Sequence, residues 1–174
     1  ELFGGNISYG NKESFGQIEL KYRDMSPKNH YSIPGDFSSA SFIIVASILA
    51  NNSEVIIKNV GLNKTRSGLI EILLLMGASI EIKNQKILSN EQVGDITVKS
   101  STLNGIDIPE NIIPNIIDEI PVLSIAAAFA VGKTTIKNAA ELRVKESDRL
   151  NAISKGLSKL KINHEIFDDG ISIT

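Results

Sequence analysis

The chain has 174 residues, with 18 basic and 20 acidic side chains for a net charge of −2, enough length for one or two compact units. That balance creates no global field favouring nucleic acid or an anionic membrane, so any anion specificity must be local. Cysteine is absent, which excludes disulfides, thiolate metal sites and a Cys nucleophile, and His30 and His164 alone are too few and too scattered for a typical zinc site.

No apolar run approaches the roughly 20 residues that a membrane span requires. The Ile43–Ala50 segment is too short, and no signal peptide is evident. The expectation is a cytoplasmic, monomeric protein that contacts neither membrane nor nucleic acid. Asn51-Asn52-Ser53 and Asn63-Lys64-Thr65 match glycosylation sequons, which in such a chain are read as chance. The first residue is Glu1 rather than Met, and the last four, Ile171 to Thr174, read as a strand. Both ends are therefore expected to be those of an excised piece.

In chain order, Gly16–Arg23 alternates Ile18, Leu20 and Tyr22 like a strand, and Pro27 through Pro34 reads as a connection. Residues 1–33 are expected to close a preceding unit. Residues 34–92 and 93–174 then form two copies of one unit. Ile57-Lys58-Asn59 matches Ile136-Lys137-Asn138, 79 positions apart. Before each lies an apolar helical stretch, Phe42–Ala50 or Val122–Val131, with small residues that allow close packing on a sheet. After each comes a second helix, Ser67–Met76 or Ser147–Leu160, with Ser67 and Ser147 as candidate N-caps.

Leu69, Ile72, Leu73 and Met76 share one helical face, and Gly77 suits the C′ position. Leu150, Ile153, Leu157 and Leu160 make the same stripe, but Lys161 stands where a glycine is wanted. Two strands close each copy: Ser79–Lys83 and Lys86–Ser89 in the first, Ile162–Phe167 and Gly170–Thr174 in the second, the latter pair joined at Asp169-Gly170. The fold class is α+β, built from repeated β-α-β-α-β-β units with helices on small mixed sheets. Duplication for stability alone would leave the same pattern.

Helix N-termini bind phosphate and carboxylate groups well, and three polar clusters open helices here. Asp36 with Ser38 and Ser39 opens the first, Asp118-Glu119-Ile120-Pro121 the third, and Leu142 through Leu150 the fourth. Asp118 reads either as an N-cap or as a general base; Glu119 beside it reads as a solvated side chain. Lys145 and Arg149 can grip a polyanion, Arg149 with two parallel hydrogen bonds, and Glu146 between them can exchange a proton if partly desolvated. Charge pattern alone equally describes a surface turn in which Lys145 and Arg149 pair with Glu146 and Asp148, and favours it.

Three stretches go further: Pro34-Gly35-Asp36-Phe37-Ser38-Ser39-Ala40, Asp118-Glu119-Ile120-Pro121 with its Ala-rich helix, and Glu141-Leu142-Arg143-Val144-Lys145-Glu146-Ser147-Asp148-Arg149-Leu150. In these residues, their order and their spacing, the chain resembles the EPSP synthase (3-phosphoshikimate 1-carboxyvinyltransferase) family over essentially its whole length. The last stretch is highly specific.

The resemblance implies two domains of three β-α-β-α-β-β units each. It implies transfer of the enolpyruvyl group of phosphoenolpyruvate to the 5-hydroxyl of shikimate 3-phosphate, through a tetrahedral intermediate and without metal or organic cofactor. It implies that Asp118 binds shikimate 3-phosphate and accepts the hydroxyl proton, and that Lys145 contacts the same substrate. Glu146 would help protonate the phosphoenolpyruvate methylene, and Arg149 would hold phosphoenolpyruvate.

Glu141 stands where some members have a substrate-contacting Asn, so that contact is not carried over. The family's N-terminal lysine and arginines, its serine-rich phosphate turn and its C-terminal arginine and lysine have no counterparts here. The chain by itself is therefore expected to be folded but inactive. Competing readings are a UDP-N-acetylglucosamine enolpyruvyl transferase relative, which usually relies on a reactive Cys, and an RNA 3′-terminal phosphate cyclase, whose nucleotide site is not found. A non-catalytic scaffold or interaction domain is the alternative from another class.

Overall fold

The computed structural model describes residues 6–9, 18–21 and 30–174. Strands β1 (Asn6–Tyr9) and β2 (Ile18–Lys21) pair antiparallel, from Asn6 opposite Lys21 to Tyr9 opposite Ile18. The strand expected over Gly16–Arg23 is thus present in its described part; Gly16, Gln17, Tyr22 and Arg23 lie outside the described residues.

The first repeat comprises α1 (Phe37–Leu49), β3 (Glu54–Gly61), α2 (Gly68–Leu75), β4 (Ser79–Leu88) and β5 (Glu91–Lys99). The second comprises α3 (Ile120–Ala128), β6 (Thr134–Ile136), α4 (Arg149–Lys159), β7 (His164–Phe167) and β8 (Gly170–Ile173). Each makes a three-stranded antiparallel sheet with its last strand in the middle: β3-β5-β4 and β6-β8-β7. The strand expected to open each unit shrinks to parallel bridges, Gly35 beside Val60 in one copy, Asn104 beside Val131 and Asp107 beside Thr135 in the other. Helices on small sheets make this an α+β fold, as the periodicities indicate.

The first hairpin differs from expectation. Polar Lys83-Asn84-Gln85-Lys86 reads as a turn, yet β4 runs straight through it with only a register shift between Lys83 and Lys86. Asn84 takes a left-handed conformation (φ 51°), which Asn tolerates. Its amide donates to Asp95 Oδ2 at 2.8 Å, so the kink is held from the neighbouring strand. The true turn is Ser89-Asn90, with φ of 48° and 69°, the geometry that two-residue hairpins favour. Strand β5 therefore continues to Lys99, and the division drawn at residue 92 falls within it.

Two of the three helix starts depart from expectation. Asp36 opens α1 as expected, accepting from Ser39 N at 2.7 Å, and the helix runs from Phe37 through the apolar stretch that starts at Phe42. Asp148 rather than Ser147 caps α4, accepting from Asn151 N at 2.9 Å; a carboxylate completes this turn in place of the hydroxyl. Ser67 holds the cap position of α2 without a side-chain cap bond. At the C-termini, Gly77 (φ 98°) serves as expected and Lys161 (φ 59°) adopts the left-handed conformation itself. The hairpin of the second repeat turns at Asp168-Asp169, with Gly170 already paired opposite Phe167.

Helices α1 and α3 pack against each other, and Ile44 and Ile48 of the first and Leu123, Ala126 and Ala127 of the second are fully or nearly fully buried. They join Leu69, Leu73, Ile96, Ile136, Leu150 and Ile173 in one continuous core spanning both repeats. This packing places the starts of α1, α3 and α4 near one another, which is what assembles the site. Among the described residues, no helix is long and apolar enough to cross a membrane.

Candidate active site

Two buried anchors suspend the charged loop before α4. Leu142 sits in a short 3-10 turn (Ala140–Arg143) and Leu150 in the first turn of α4, and both are fully buried. Between them Val144 points outward, 80% exposed, so the charged residues occupy a stretch pinned at both ends. Arg143 adds a clamp: its guanidinium donates to the carbonyls of Phe167 at 2.5 Å and Asp168 at 2.6 Å, and to Asp148 Oδ2 at 3.0 Å. One side chain thus fastens the loop to the β7–β8 turn and to the cap of α4.

The loop presents its charges to Asp118. Arg149 Nη1 donates to Asp118 Oδ1 at 3.0 Å, and Lys145 Nζ lies 3.9 Å from the same oxygen. The rest of the Arg149 fork grips Glu146, Nε to Oε1 at 3.0 Å and Nη2 to Oε2 at 2.9 Å. Lys145 is closed off by Glu141 at 2.5 Å. The arrangement is a carboxylate between two cations, each also held by a second carboxylate.

These contacts bias the titrations. A hydrogen bond from its own backbone amide, then the Arg149 guanidinium, hold the Glu146 carboxyl below its ordinary range. The hydrogen bond to Glu141 holds the Lys145 ammonium above its ordinary value, with the Glu141 and Asp118 charges adding to the effect. Both cations remain charged through neutral pH.

Asp118, Lys145, Glu146 and Arg149 are thus brought together as a group. The surface-turn pairing also appears in part: Arg149 does pair with Glu146, but Asp148 takes Arg143 and Lys145 takes Glu141. Asp118 is not an N-cap. Glu119 occupies the cap position of α3 without a side-chain cap bond, and Pro121 removes one of the N–H donors that a capping carboxylate needs. Asp118 turns to the cations instead.

Glu119 overturns its expected role as a solvated side chain. It is only 4% exposed and accepts a 2.5 Å hydrogen bond from Ser38 Oγ, whose oxygen accepts in turn from Arg66 Nη2 at 3.1 Å. Burial raises its pKa, the Asp118 charge adds to the rise, and the Ser38 hydrogen bond and the more distant Arg66 oppose it. The hint in residue order is slight: an apolar Ile120 follows it. A wide apolar groove lined by Leu62, Ile70, Leu74 and Ile82 lies elsewhere, away from these charges.

Comparison with known proteins gives the family. The family model for EPSP synthase (3-phosphoshikimate 1-carboxyvinyltransferase) matches residues 1–174. The chain belongs to the EPSP synthase family. It is 55% identical over 143 residues to the 3-phosphoshikimate 1-carboxyvinyltransferase of Petrotoga mobilis, a match covering 82% of this chain and 33% of that protein. The Zymomonas mobilis enzyme of the same name is 43% identical over 171 residues, 98% of this chain and 38% of that protein. In three dimensions the chain resembles the EPSP synthase of Acinetobacter baumannii with a TM-score of 0.90 and 40% identity, covering 99% of this chain and 38% of that one. The chain spans between a third and two fifths of the length of these relatives.

Proposed function

We propose that this chain forms one wall of an EPSP synthase active site. The complete protein would be a cytoplasmic monomer that transfers the enolpyruvyl group of phosphoenolpyruvate to the 5-hydroxyl of shikimate 3-phosphate. The observation that carries the reading is the convergence of Arg149 and Lys145 on one oxygen of Asp118, at 3.0 and 3.9 Å. A general base must lie within hydrogen-bond reach of the proton it takes, and two anionic substrates need fixed cations beside that base.

In this reading Asp118 accepts the proton of the attacking 5-hydroxyl, and Lys145 holds shikimate 3-phosphate. Arg149 grips phosphoenolpyruvate in place of Glu146, and Glu146, freed from a cation that favours its ionised form, helps deliver a proton to the methylene carbon. Substrates must first displace the internal partners, because the Arg149 fork is filled by Glu146 and Lys145 by Glu141. An arriving phosphate or carboxylate exchanges one anion for another at each cation, so the site changes partners rather than creating charge.

The test uses the full-length protein. Phosphate release from phosphoenolpyruvate and shikimate 3-phosphate is expected, and Asp118→Asn should lower kcat by about 10²- to 10⁴-fold. Absence of turnover by the wild type overturns the reading. For the 174-residue chain alone, amide shifts at Lys145 and Arg149 are expected on titration with shikimate 3-phosphate, without phosphate release. No shift at millimolar ligand would favour a non-catalytic scaffold, and measurable release would overturn the half-site.

A further inference from the structure

Glu119 is a buried ionisable group to which the proposed chemistry gives no task. It stands at the cap position of α3, yet no side chain caps that helix. Its one short side-chain bond runs instead to Ser38, in the first turn of α1 in the other repeat, 81 positions away. Ser38 is itself held by Arg66, so the line Arg66–Ser38–Glu119 ties the two helix starts together where α1 and α3 pack. In a dry setting such a bond is strong, and its loss leaves a buried carboxylate unpaired.

Asp118 is the next residue back along the chain. Adjacent Cα atoms are about 3.8 Å apart, so whatever fixes the Glu119 backbone also fixes the root of the Asp118 side chain. Asp118 has no capping bond of its own to do this, and its carboxylate is half exposed. We infer that Glu119 is a positioning residue, which holds Asp118 toward Arg149 and Lys145 by tying the start of α3 to Ser38 at the start of α1. This gives the Pro34–Ala40 stretch a task as well: it supplies the hydroxyl for the tie. The inference rests on the proposed role of Asp118, and misplacement of a reacting group by about 1 Å can cost on the order of 10²-fold in rate.

The test again uses the full-length protein. Glu119→Ala and Ser38→Ala are each expected to lower kcat about 10- to 100-fold, while KM for phosphoenolpyruvate moves less than about threefold. Glu119→Gln retains an oxygen that accepts from Ser38, and it should restore kcat to within about threefold. A purely structural role would lower the melting temperature and leave kcat per folded site unchanged, which would overturn the inference.

A crystal structure of Glu119→Ala provides a readout independent of turnover. The Asp118 Oδ1 to Arg149 Nη1 contact, 3.0 Å here, is expected to open beyond hydrogen-bond reach, and its retention overturns the inference. If Glu119→Ala does not fold, Ser38→Ala decides by the same two measurements. A wild type without phosphate release would overturn the function reading alone, and the crystal structure would still decide this one.

Discussion

Arg143 and Asp148 close the charged loop like a buckle: Nη1 meets Oδ2 at 3.0 Å, with Lys145 and Glu146 among the four residues between them. Asp148 simultaneously caps α4 through its other oxygen. The loop's shape and the helix start are therefore one device, and Leu142 and Leu150 sink its two ends into the core.

Arg143→Ala removes this buckle together with both bonds to the β7–β8 turn. Each bond to a charged group is worth about 1.5–3 kcal/mol, less where the side chain is partly exposed. A net loss of about 2–3 kcal/mol in urea unfolding is expected. A loss below about 0.5 kcal/mol would show that the loop is held by its leucines alone.

Glu146→Gln should tighten binding of inorganic phosphate at Arg149, because the ionised competitor in its fork is gone. The pair is exposed, so the gain is roughly two- to fivefold. Turnover should fall at the same time, since the variant cannot donate the proton. Calorimetric titration with phosphate checks the first outcome; unchanged or weaker binding would show that Glu146 does not compete for Arg149.

Stability of Glu119→Gln should depend on pH in a definite direction. Burial, first, and the Asp118 charge raise the Glu119 pKa above its ordinary 4.5, so the folded state holds this proton more tightly than the unfolded chain. Glu119 therefore contributes stability below pH 4.5 that is lost as pH rises through its raised value. The stability of Glu119→Gln relative to wild type should grow from pH 4.5 upward and then level off. Urea unfolding between pH 4 and 8 measures this, and a flat difference would refute it.

Gly170→Ala should unfold the second sheet's edge. A Cβ at position 170 would land on the Ile136 carbonyl oxygen of β6, and backbone cannot yield as a flexible side chain can. A cost of about 3 kcal/mol or more is expected, read as a lowered urea midpoint. A neutral substitution would mean that β6 does not approach β8 as closely as the structure shows.

Much of this protein was legible in residue order. The apolar stripe Leu69, Ile72, Leu73, Met76 and the repeated Ile57 and Ile136 strands required only neighbours in sequence, because helical and strand periodicity are properties of contiguous residues. Three stretches carried the family resemblance, the run from Glu141 to Leu150 most specifically. Capping was less readable: Ser147 and Asp148 are adjacent acceptors, and which one meets the first free N–H depends on how the Arg143 clamp bends the chain.

The site's partnerships lay beyond any such reading. Lys145 chooses Glu141, Arg149 reaches back to Asp118, and Ser38 meets Glu119 across 81 positions. The last two pairings exist only because α1 packs on α3 and α4 starts beside them, whereas Lys145 and Glu141 are four positions apart in one loop. Glu119 shows the reason most plainly. Its chemistry is the same in any sequence window, but whether a carboxylate is solvated or buried is decided by the surface that covers it, and that surface comes from the other repeat.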